Sequence, residues 1–271
     1  MRVFWGLCLV IALFLSGSEA VAGQLADRLA SFPHWNKLVV QVAQGDLVYP
    51  DWMAGSWNVT STLIDAVAPL APDIVTPGFE SNRQNLQQPI SFPVRFEEKK
   101  LFQSQAFAPT TVRSAVVADR AFNGLSLAKA YLGDVAIALK VDPQSPNRQI
   151  TLLKGDRQLV SIVSGRATET LGENQFITTE VFQQFFRSKD SRPYFNEVES
   201  TTAYHYLPQS EPTIIADQVT AVYLSPQDPD YFAAASRPVA LYRYRLEFSR
   251  VDAPKTRKLH SQNLSSQAFT R

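Results

Sequence analysis

Four acidic residues in strand-like stretches are the first candidates for chemistry. Glu197 and Glu199 lie two positions apart in "NEVESTTAYHY", which places both side chains on the same face of a strand. Two carboxylates at that spacing repel each other, so one tends to keep its proton, as an acid–base pair requires. Glu180 and Asp217 occupy other strand-like stretches. All four are therefore candidate inward-facing carboxylates, and ion pairing with arginines is the favoured role.

The last strand-like stretch, "ALYRYRLEFSR", supplies arginines for such pairs. Arg243 and Arg245 alternate with Tyr242 and Tyr244, so the basic residues share one strand face and the aromatic residues share the other. A buried guanidinium group needs a charged or hydrogen-bonding partner. Two arrangements fit this pattern equally: a polar cavity whose acids pair with the arginines, or a ladder of salt bridges on the surface.

His205 is the histidine best placed to face a pocket, because it stands between Tyr204 and Tyr206 in a strand-like stretch. The sequence contains no Gly-x-Ser-x-Gly motif, which argues against a serine hydrolase. In "SPQDPDYF", Asp228 and Asp230 flank a proline, and a turn with backbone-capping aspartates is favoured over a calcium site. No cofactor and no metal site is predicted.

The elements that carry these residues form a series of predicted strands. From residue 135 onward, short alternating stretches are joined by polar turns, and no helical pattern intervenes. The sequence therefore predicts an all-β fold, an antiparallel meander barrel, as a single domain over residues 49–252. Residues 23–48 are predicted to form a short N-terminal helical segment.

Two segments interrupt the strand pattern. Residues 65–91 contain several prolines and few periodic residues, which predicts a long loop of the kind that is functional or covers other structure. Further along, Asn123 is the expected N-terminal cap of a short helix that reaches Tyr131.

The tripeptide Gly55-Ser56-Trp57 opens the first strand-like stretch, in which every second residue from Trp57 to Leu63 shares one face. In lipocalin-type barrels, a Gly-x-Trp strand follows a helical segment and crosses the closed end, and its indole packs under a basic side chain from the last strand. Trp57 is thus the candidate barrel floor, and Arg243 or Arg245 is expected to cover it. The predicted barrel is lipocalin-like.

The composition excludes one class of partner and supports a sizeable core. Of 271 residues, 45% are hydrophobic and 19% are charged, which suits one large β domain. The 26 basic and 25 acidic residues nearly balance, so the charge indicates no nucleic-acid partner. With 17 Phe, 9 Tyr and 4 Trp, the chain has the aromatic side chains that an apolar pocket needs.

The N-terminus is typical of an export signal. Arg2 precedes a long apolar run, and small residues at Ala20–Ala22 fit a cleavage site, so residues 1–22 are predicted to be a signal peptide; an uncleaved anchor is the alternative. The single cysteine, Cys8, lies within this run, so the mature chain is expected to have no disulfide. Residues 253–271 are basic, contain no acid and predict a disordered tail.

Several long stretches resemble one family. "PDIVTPGFESNR", "QFITTEVFQQFFR", "NEVESTTAYHY" and "DQVTAVYLSPQDPDYF" are similar to an uncharacterised domain family found in cyanobacteria and plant chloroplasts. The resemblance covers nearly all of residues 49–249. It implies a photosynthetic organism and, together with the signal segment, export to the thylakoid lumen or the periplasm. It implies no catalytic residues.

Three functions fit these observations. The first is an exported, monomeric binding protein whose barrel holds an apolar or amphipathic small molecule, such as a lipid, carotenoid or tetrapyrrole. The second is an assembly or interaction factor of a thylakoid membrane complex, which would use residues 65–91, the "SPQDPDYF" turn and the basic tail. The third is a pigment- or lipid-modifying enzyme, which requires a carboxylate or His205 inside a cavity. The candidate binding or barrel-floor residues are Trp57, Glu180, Glu197, Glu199, Tyr204, His205, Asp217, Arg243 and Arg245.

Overall fold

The computed structural model describes residues 23–74, 78–103, 111–189 and 192–251. The predicted signal peptide with Cys8 and the predicted basic tail lie outside these ranges. Within them, no helix has both the length and the apolar character needed to cross a membrane.

Strands make up most of the described chain. They are β1 (Gln41–Val42), β2 (Val48–Tyr49), β3 (Gly55–Val67), β4 (Pro89–Gln103), β5 (Thr111–Ala118), β6 (Ala136–Asp142), β7 (Ser145–Leu153), β8 (Arg157–Thr170), β9 (Gln175–Arg187), β10 (Tyr194–Tyr206), β11 (Ile214–Tyr223) and β12 (Ala240–Arg250). The α-helices are α1 (Gln24–Ala30), α2 (Phe79–Arg83), α3 (Arg120–Leu132) and α4 (Tyr231–Ala234). Single turns of 3₁₀ helix occur at Asp51–Met53 and Gly133–Val135.

The strands form one curled antiparallel sheet. Its order is β2-β5-β4-β3-β12-β11-β10-β9-β8-β7-β6, and the short β1 pairs with β8. Each strand from β6 to β11 pairs with the next strand in the chain, and β12 also pairs with β3, the Gly-x-Trp strand. The sheet curls strongly into a half-barrel. The prediction of an all-β, antiparallel, meander-type fold with a short N-terminal helix is confirmed.

Helix α3 lies across the opening between the two ends of the sheet. It connects β5 to β6 in the chain and contacts β4, β6 and β7. Its N-terminal cap is Asp119, whose carboxylate accepts a hydrogen bond of 3.0 Å from the Phe122 N–H group. The expectation that Asn123 caps this helix is therefore wrong, because the helix begins at Arg120 and Asn123 lies within its first turn.

Asn123 instead fastens the helix to the sheet. Its side-chain amide accepts a hydrogen bond of 2.7 Å from the Arg95 backbone N–H and donates one of 3.0 Å to the Arg95 carbonyl. These are the bonds that a neighbouring strand would make, so Asn123 continues the hydrogen-bond ladder of β4. The Arg95 side chain also pairs with Asp119, with 3.1 Å between Nε and the carboxylate.

Apolar clusters fill both ends of the half-barrel. At one end, Trp57 and Met53 are completely buried in a cluster that includes Phe248. At the other end, Leu63 packs with Tyr242 and other residues. Because Trp57 and Leu63 share one face of β3, both clusters lie on the inner, concave face of the sheet.

Part of the predicted loop at residues 65–91 has regular structure. β3 continues to Val67, α2 occupies Phe79–Arg83, and β4 begins at Pro89. The Phe79 and Tyr242 rings are 5.9 Å apart, and the Asn82 amide donates a hydrogen bond of 3.1 Å to the Tyr242 hydroxyl. The prediction of a structureless segment is wrong here, because contacts with β12 order a stretch that has no periodicity of its own.

The outer face of the sheet is also covered. Leu25 and Leu29 of α1 and the following Trp35 are buried against this face. The outward-facing residues beneath them are Ile177, Ala203, Val219, Ala221, Tyr223 and Leu241. Both faces of the central strands are therefore apolar, so alternation along these strands does not separate a core from solvent.

Candidate functional site

A cavity of about 410 Å³ lies on the inner face, between the two end clusters and beside α3. Its apolar wall comes from several strands and includes Val59, Phe92, Val94, Phe96, Phe182, Leu246 and Phe248. Its polar groups include Ser61, Arg120, Asn123, Gln149, Tyr204, Gln218, Thr220 and Tyr244. Among the described residues, this lining contains no carboxylate and no imidazole. An apolar wall with a few placed polar groups is the usual composition of a small-molecule pocket.

A second cavity, of about 660 Å³, adjoins the first along α3. The residues that line both are Gly124, Leu127, Tyr131 and Gln149. The second cavity extends between α3 and strands β6–β9, where its apolar wall includes Leu139, Leu153, Leu159 and Phe186. Arg157, Arg187 and Arg192 also line it. The two cavities therefore lie side by side along α3, and exposed arginines line the second one.

Helix α3 covers this space without burying its own side chains. None of its residues is fully buried, and Leu127 and Tyr131, which line both cavities, are each 43% exposed. A helix that packs directly on a sheet buries one apolar face. The helix also approaches β6 closely at Gly124, where an added Cβ would lie 2.5 Å from the Leu139 side chain. α3 therefore forms a wall of the cavity rather than part of a packed core.

A charged cluster lies beside the first cavity. Glu180 on β9 accepts hydrogen bonds from two arginines through the same oxygen, Oε1. The distances are 2.9 Å from Arg120 Nη2, and 3.0 Å and 2.7 Å from Arg166 Nε and Nη2. The three side chains are only 10–14% exposed. Two guanidinium groups thus share one carboxylate in a largely desolvated site.

The two arginines differ in how far their donors are used. Arg166 also donates to the Asn147 side chain at 2.9 Å and, through Nη1, to the carbonyls of Gln44 and Gly45. Arg120 lines the cavity, and the only hydrogen bond that its guanidinium group makes to a described residue is the one to Glu180. Burial is the largest single influence on the pKa of Arg120 and lowers it, but the attractions of Glu180, Tyr49 and Asp46 together raise that pKa above its usual value.

Phenol groups of the cavity wall stay neutral. Burial raises the pKa of Tyr49, Tyr204 and Tyr244 well above the usual value, and the charge of Glu180 adds to this effect at Tyr49 and Tyr204. Neutral hydroxyl groups both donate and accept hydrogen bonds. Of the described residues that line the first cavity, Arg120 is therefore the charged one that an entering molecule meets.

Trp57 lies under an arginine of the last strand, but the arginine is Arg250. The Arg250 guanidinium carbon is 4.5 Å from the Trp57 ring centroid, and the indole N–H donates a hydrogen bond of 2.8 Å to the Met53 carbonyl. Arg243 and Arg245, expected to cover Trp57, point to the outer face instead. Strand register explains why Arg250 covers the indole, because Arg250 is the β12 residue directly opposite Trp57.

Both expected arginines form ion pairs on the outer face. Arg243 binds Asp217 through two hydrogen bonds, Nε to Oδ1 at 2.9 Å and Nη2 to Oδ2 at 2.5 Å. Arg245 pairs with Glu247 at 2.8 Å, and its side chain is 60% exposed. Of the two arrangements that the sequence left open, the structure shows the ladder of salt bridges for these residues.

Glu197 and Glu199 also face outward, and they do not form a carboxylate pair around the cavity. Glu197 forms an ion pair of 2.6 Å with Lys37. Glu199 is completely buried beneath α1, where it accepts hydrogen bonds of 3.0 Å and 2.6 Å from Arg28 and one of 3.0 Å from the Tyr223 hydroxyl. These carboxylates fasten the N-terminal segment to the sheet.

The remaining sequence candidates are divided between the two faces. His205 lies on the outer face, 3.4 Å from the Gln175 amide, whereas Tyr204 is buried in the inner core and lines the cavity. Asp228 accepts hydrogen bonds from the Ser225 backbone N–H at 2.8 Å and from the Tyr194 hydroxyl at 3.1 Å. Of the nine sequence candidates, the inner face therefore holds Trp57, Glu180 and Tyr204.

Sequence reasoning missed Arg120, Arg166 and Arg250. The sequence did contain a signal for Arg250, because it is the next residue after Phe248 on the strand face that begins at Tyr242. The sequence contained no signal for Arg166. The β8–β9 pairing shifts register between Val163 and Gly165, and this shift brings Arg166 opposite Glu180. Arg120 is the first residue of a helix, whose position over the sheet is not set by local pattern.

Comparisons with known proteins give one assignment. No curated protein and no solved structure is similar enough to this chain to count as a match. A family model, the domain of unknown function DUF6816, matches residues 41–252, which include all twelve strands. The chain belongs to this family of unknown function.

Proposed function

We propose that this protein binds an apolar or amphipathic small molecule, of the lipid or pigment class, in the cavity beside α3. The observation that carries the proposal is the position of Leu127 and Tyr131, which line both cavities and yet remain 43% exposed. A molecule bound there would remove this apolar surface from water, which is the main driving force for binding to such pockets.

The Trp57–Arg250 pair supports a lipocalin-like arrangement. A Gly-x-Trp strand after a helical segment, with an arginine of the last strand over the indole, is the combination expected of such a barrel. Eight-stranded barrels of this kind hold one small ligand. In this chain the wall is completed by α3, because β6 does not pair with β5 or β2.

The compartment is part of the proposal and rests on sequence alone. The apolar run and the small residues that follow it within residues 1–22 support export, to the thylakoid lumen or the periplasm. The partner we propose in that compartment is the small molecule itself.

A fluorescence titration with Nile red, an uncharged dye that brightens in apolar surroundings, tests the binding function. We expect saturable binding to the wild-type protein. Thr220 lines the first cavity on β11, so Thr220→Trp places an indole in the space that the dye would occupy. This change should weaken dye binding by at least about tenfold, which corresponds to about 1.4 kcal/mol.

The matched control adds the same indole outside the cavity. Lys129 lies on α3, is exposed and lines neither cavity, so Lys129→Trp should leave dye affinity within about twofold of the wild-type value. Circular dichroism shows whether both variants fold. Equal dye binding by two folded variants would place the dye elsewhere and contradict the proposal.

A further inference from the structure

Building on the proposed function, we propose that the cavity selects an anionic head group and that its ligand is a long-chain carboxylate bound through Arg120. The two adjoining cavities suit a single-chain amphiphile, and the charged cluster beside the first one identifies the end at which the head group binds.

The charge of the cluster favours an anionic ligand. Arg120 and Arg166 share one carboxylate, that of Glu180, and all three side chains are largely desolvated. Asp46 also raises the pKa of Arg120, but more weakly, and it forms no ion pair with Arg120 within the described structure. The three ion-paired side chains therefore carry an excess positive charge, which an anion neutralises most effectively where water is scarce.

The two arginines differ in how many hydrogen-bond donors remain available to a ligand. Arg166 uses Nε, Nη1 and Nη2 in hydrogen bonds within the protein. Arg120 uses Nη2 alone among the contacts to described residues, and it lines the cavity. A planar guanidinium group binds a carboxylate through two parallel hydrogen bonds, so Arg120 is the residue suited to hold the head group.

The hydrocarbon chain of the ligand would run along α3 through the two cavities. From Arg120 the first cavity runs beside Leu127 and Tyr131, which also line the second cavity. The second cavity continues between Leu139 and Phe186. An unbranched hydrocarbon chain thus meets apolar side chains along its length while its head stays at Arg120.

Competition between two ligands that differ only in the head group tests the inference. Hexadecanoate and hexadecan-1-ol are each titrated against bound Nile red at about pH 8, where the acid is ionised. We expect hexadecanoate to displace the dye at a concentration at least about tenfold lower than the alcohol, as charge-assisted hydrogen bonds predict. In Arg120→Gln this preference should fall to near one, with the affinity for the alcohol unchanged.

Two further variants make the test specific. Lys129→Gln removes the same charge from an exposed position on the same helix and should keep the preference for the acid. Arg120→Lys keeps the charge but not the two-pronged geometry, so its preference should be reduced severalfold and stay above one. This variant supplies the readout where Arg120→Gln does not fold.

Three results would overturn the inference. Equal displacement by the acid and the alcohol in the wild-type protein would remove head-group selection while leaving the proposed binding function intact. Loss of the preference in Arg187→Gln, and not in Arg120→Gln, would move the head group to the exposed arginines that line the second cavity. Absence of saturable Nile red binding would overturn the proposed function, and this inference with it.

Discussion

At the scale of single residues, Gly55, Trp57 and Arg250 form one small structure. Gly55 has φ of +119°, in the region that favours glycine, and its missing side chain leaves room for Arg250, whose Nη1 would lie 3.3 Å from an added Cβ. The arginine then lies over the Trp57 ring, which is completely buried. The three residue types are therefore linked, because the glycine admits the arginine that covers the indole.

The contact of Arg250 with the Trp57 ring is expected to stabilise the fold. Arg250→Ala should lower the free energy of unfolding by about 1 kcal/mol, the magnitude of a cation–π contact together with the packing lost over the ring. Urea unfolding followed by circular dichroism measures the change. Arg245→Ala is the matched control on the same strand, and it should change the free energy by less than about 0.5 kcal/mol because exposed ion pairs contribute little. Equal effects of the two changes would contradict the role given to Arg250.

At the scale of elements, α3 closes the half-barrel and its attachment is polar. Asp119 caps the helix and pairs with Arg95, and Asn123 continues the β4 ladder. Burial alone would raise the pKa of Asp119, but the Phe122 N–H group and Arg95 outweigh it and hold that pKa below its usual value. The attachment of α3 is therefore expected to weaken in acid.

The contribution of Asp119 to stability should depend on pH. Asp119→Ala should cost about 1 kcal/mol of unfolding free energy at about pH 7, as loss of an N-terminal cap does. Since the pKa of Asp119 is lower in the folded state, its contribution is present above about pH 4 and is lost as the pH falls further. The difference between the variant and the wild-type protein should therefore shrink at about pH 3. Asp134→Ala, at the other end of the helix, should show no such loss, and a difference that grows in acid would contradict the assignment.

At the scale of the whole molecule, the sheet needs cover on both faces. The N-terminal segment buries the outer face, and Arg28 neutralises the completely buried Glu199 while its guanidinium carbon lies 4.0 Å from the Trp35 ring centroid. Arg28 and Trp35 precede the stretch matched by the family model, which begins at residue 41. The matched stretch therefore depends on residues outside it.

Shortened chains should show this dependence. A protein that lacks residues 1–36 should be less stable than one that lacks residues 1–22 by about 3 kcal/mol or more, because Leu25, Leu29 and Trp35 would no longer bury the apolar outer face. Adding Glu199→Gln to the shorter protein should change its stability by less than about 0.5 kcal/mol, since the deletion exposes this carboxylate to water. Urea unfolding of the three proteins measures both effects, and equal midpoints for the two lengths would show that the outer cover is dispensable.

The order and type of the elements were determined largely by sequence. The face shared by Trp57 and Leu63, the strand series after residue 135 and the short N-terminal helix all appear as predicted, because a period of two residues is a local property of the chain. Residues 65–91 were predicted poorly, since the contact of Phe79 with Tyr242 that orders α2 joins distant positions.

The site depended on tertiary structure. Alternation correctly separated Arg243 and Arg245 from the aromatic face of β12, but it did not say which face encloses the cavity, because α1 makes the outer face apolar as well. A register shift in β8 brought Arg166 opposite Glu180, and the span of α3 across the open sheet brought Arg120 to the same carboxylate. Local sequence thus determined which residues share a face, and long-range pairing decided which of those faces surrounds the cavity.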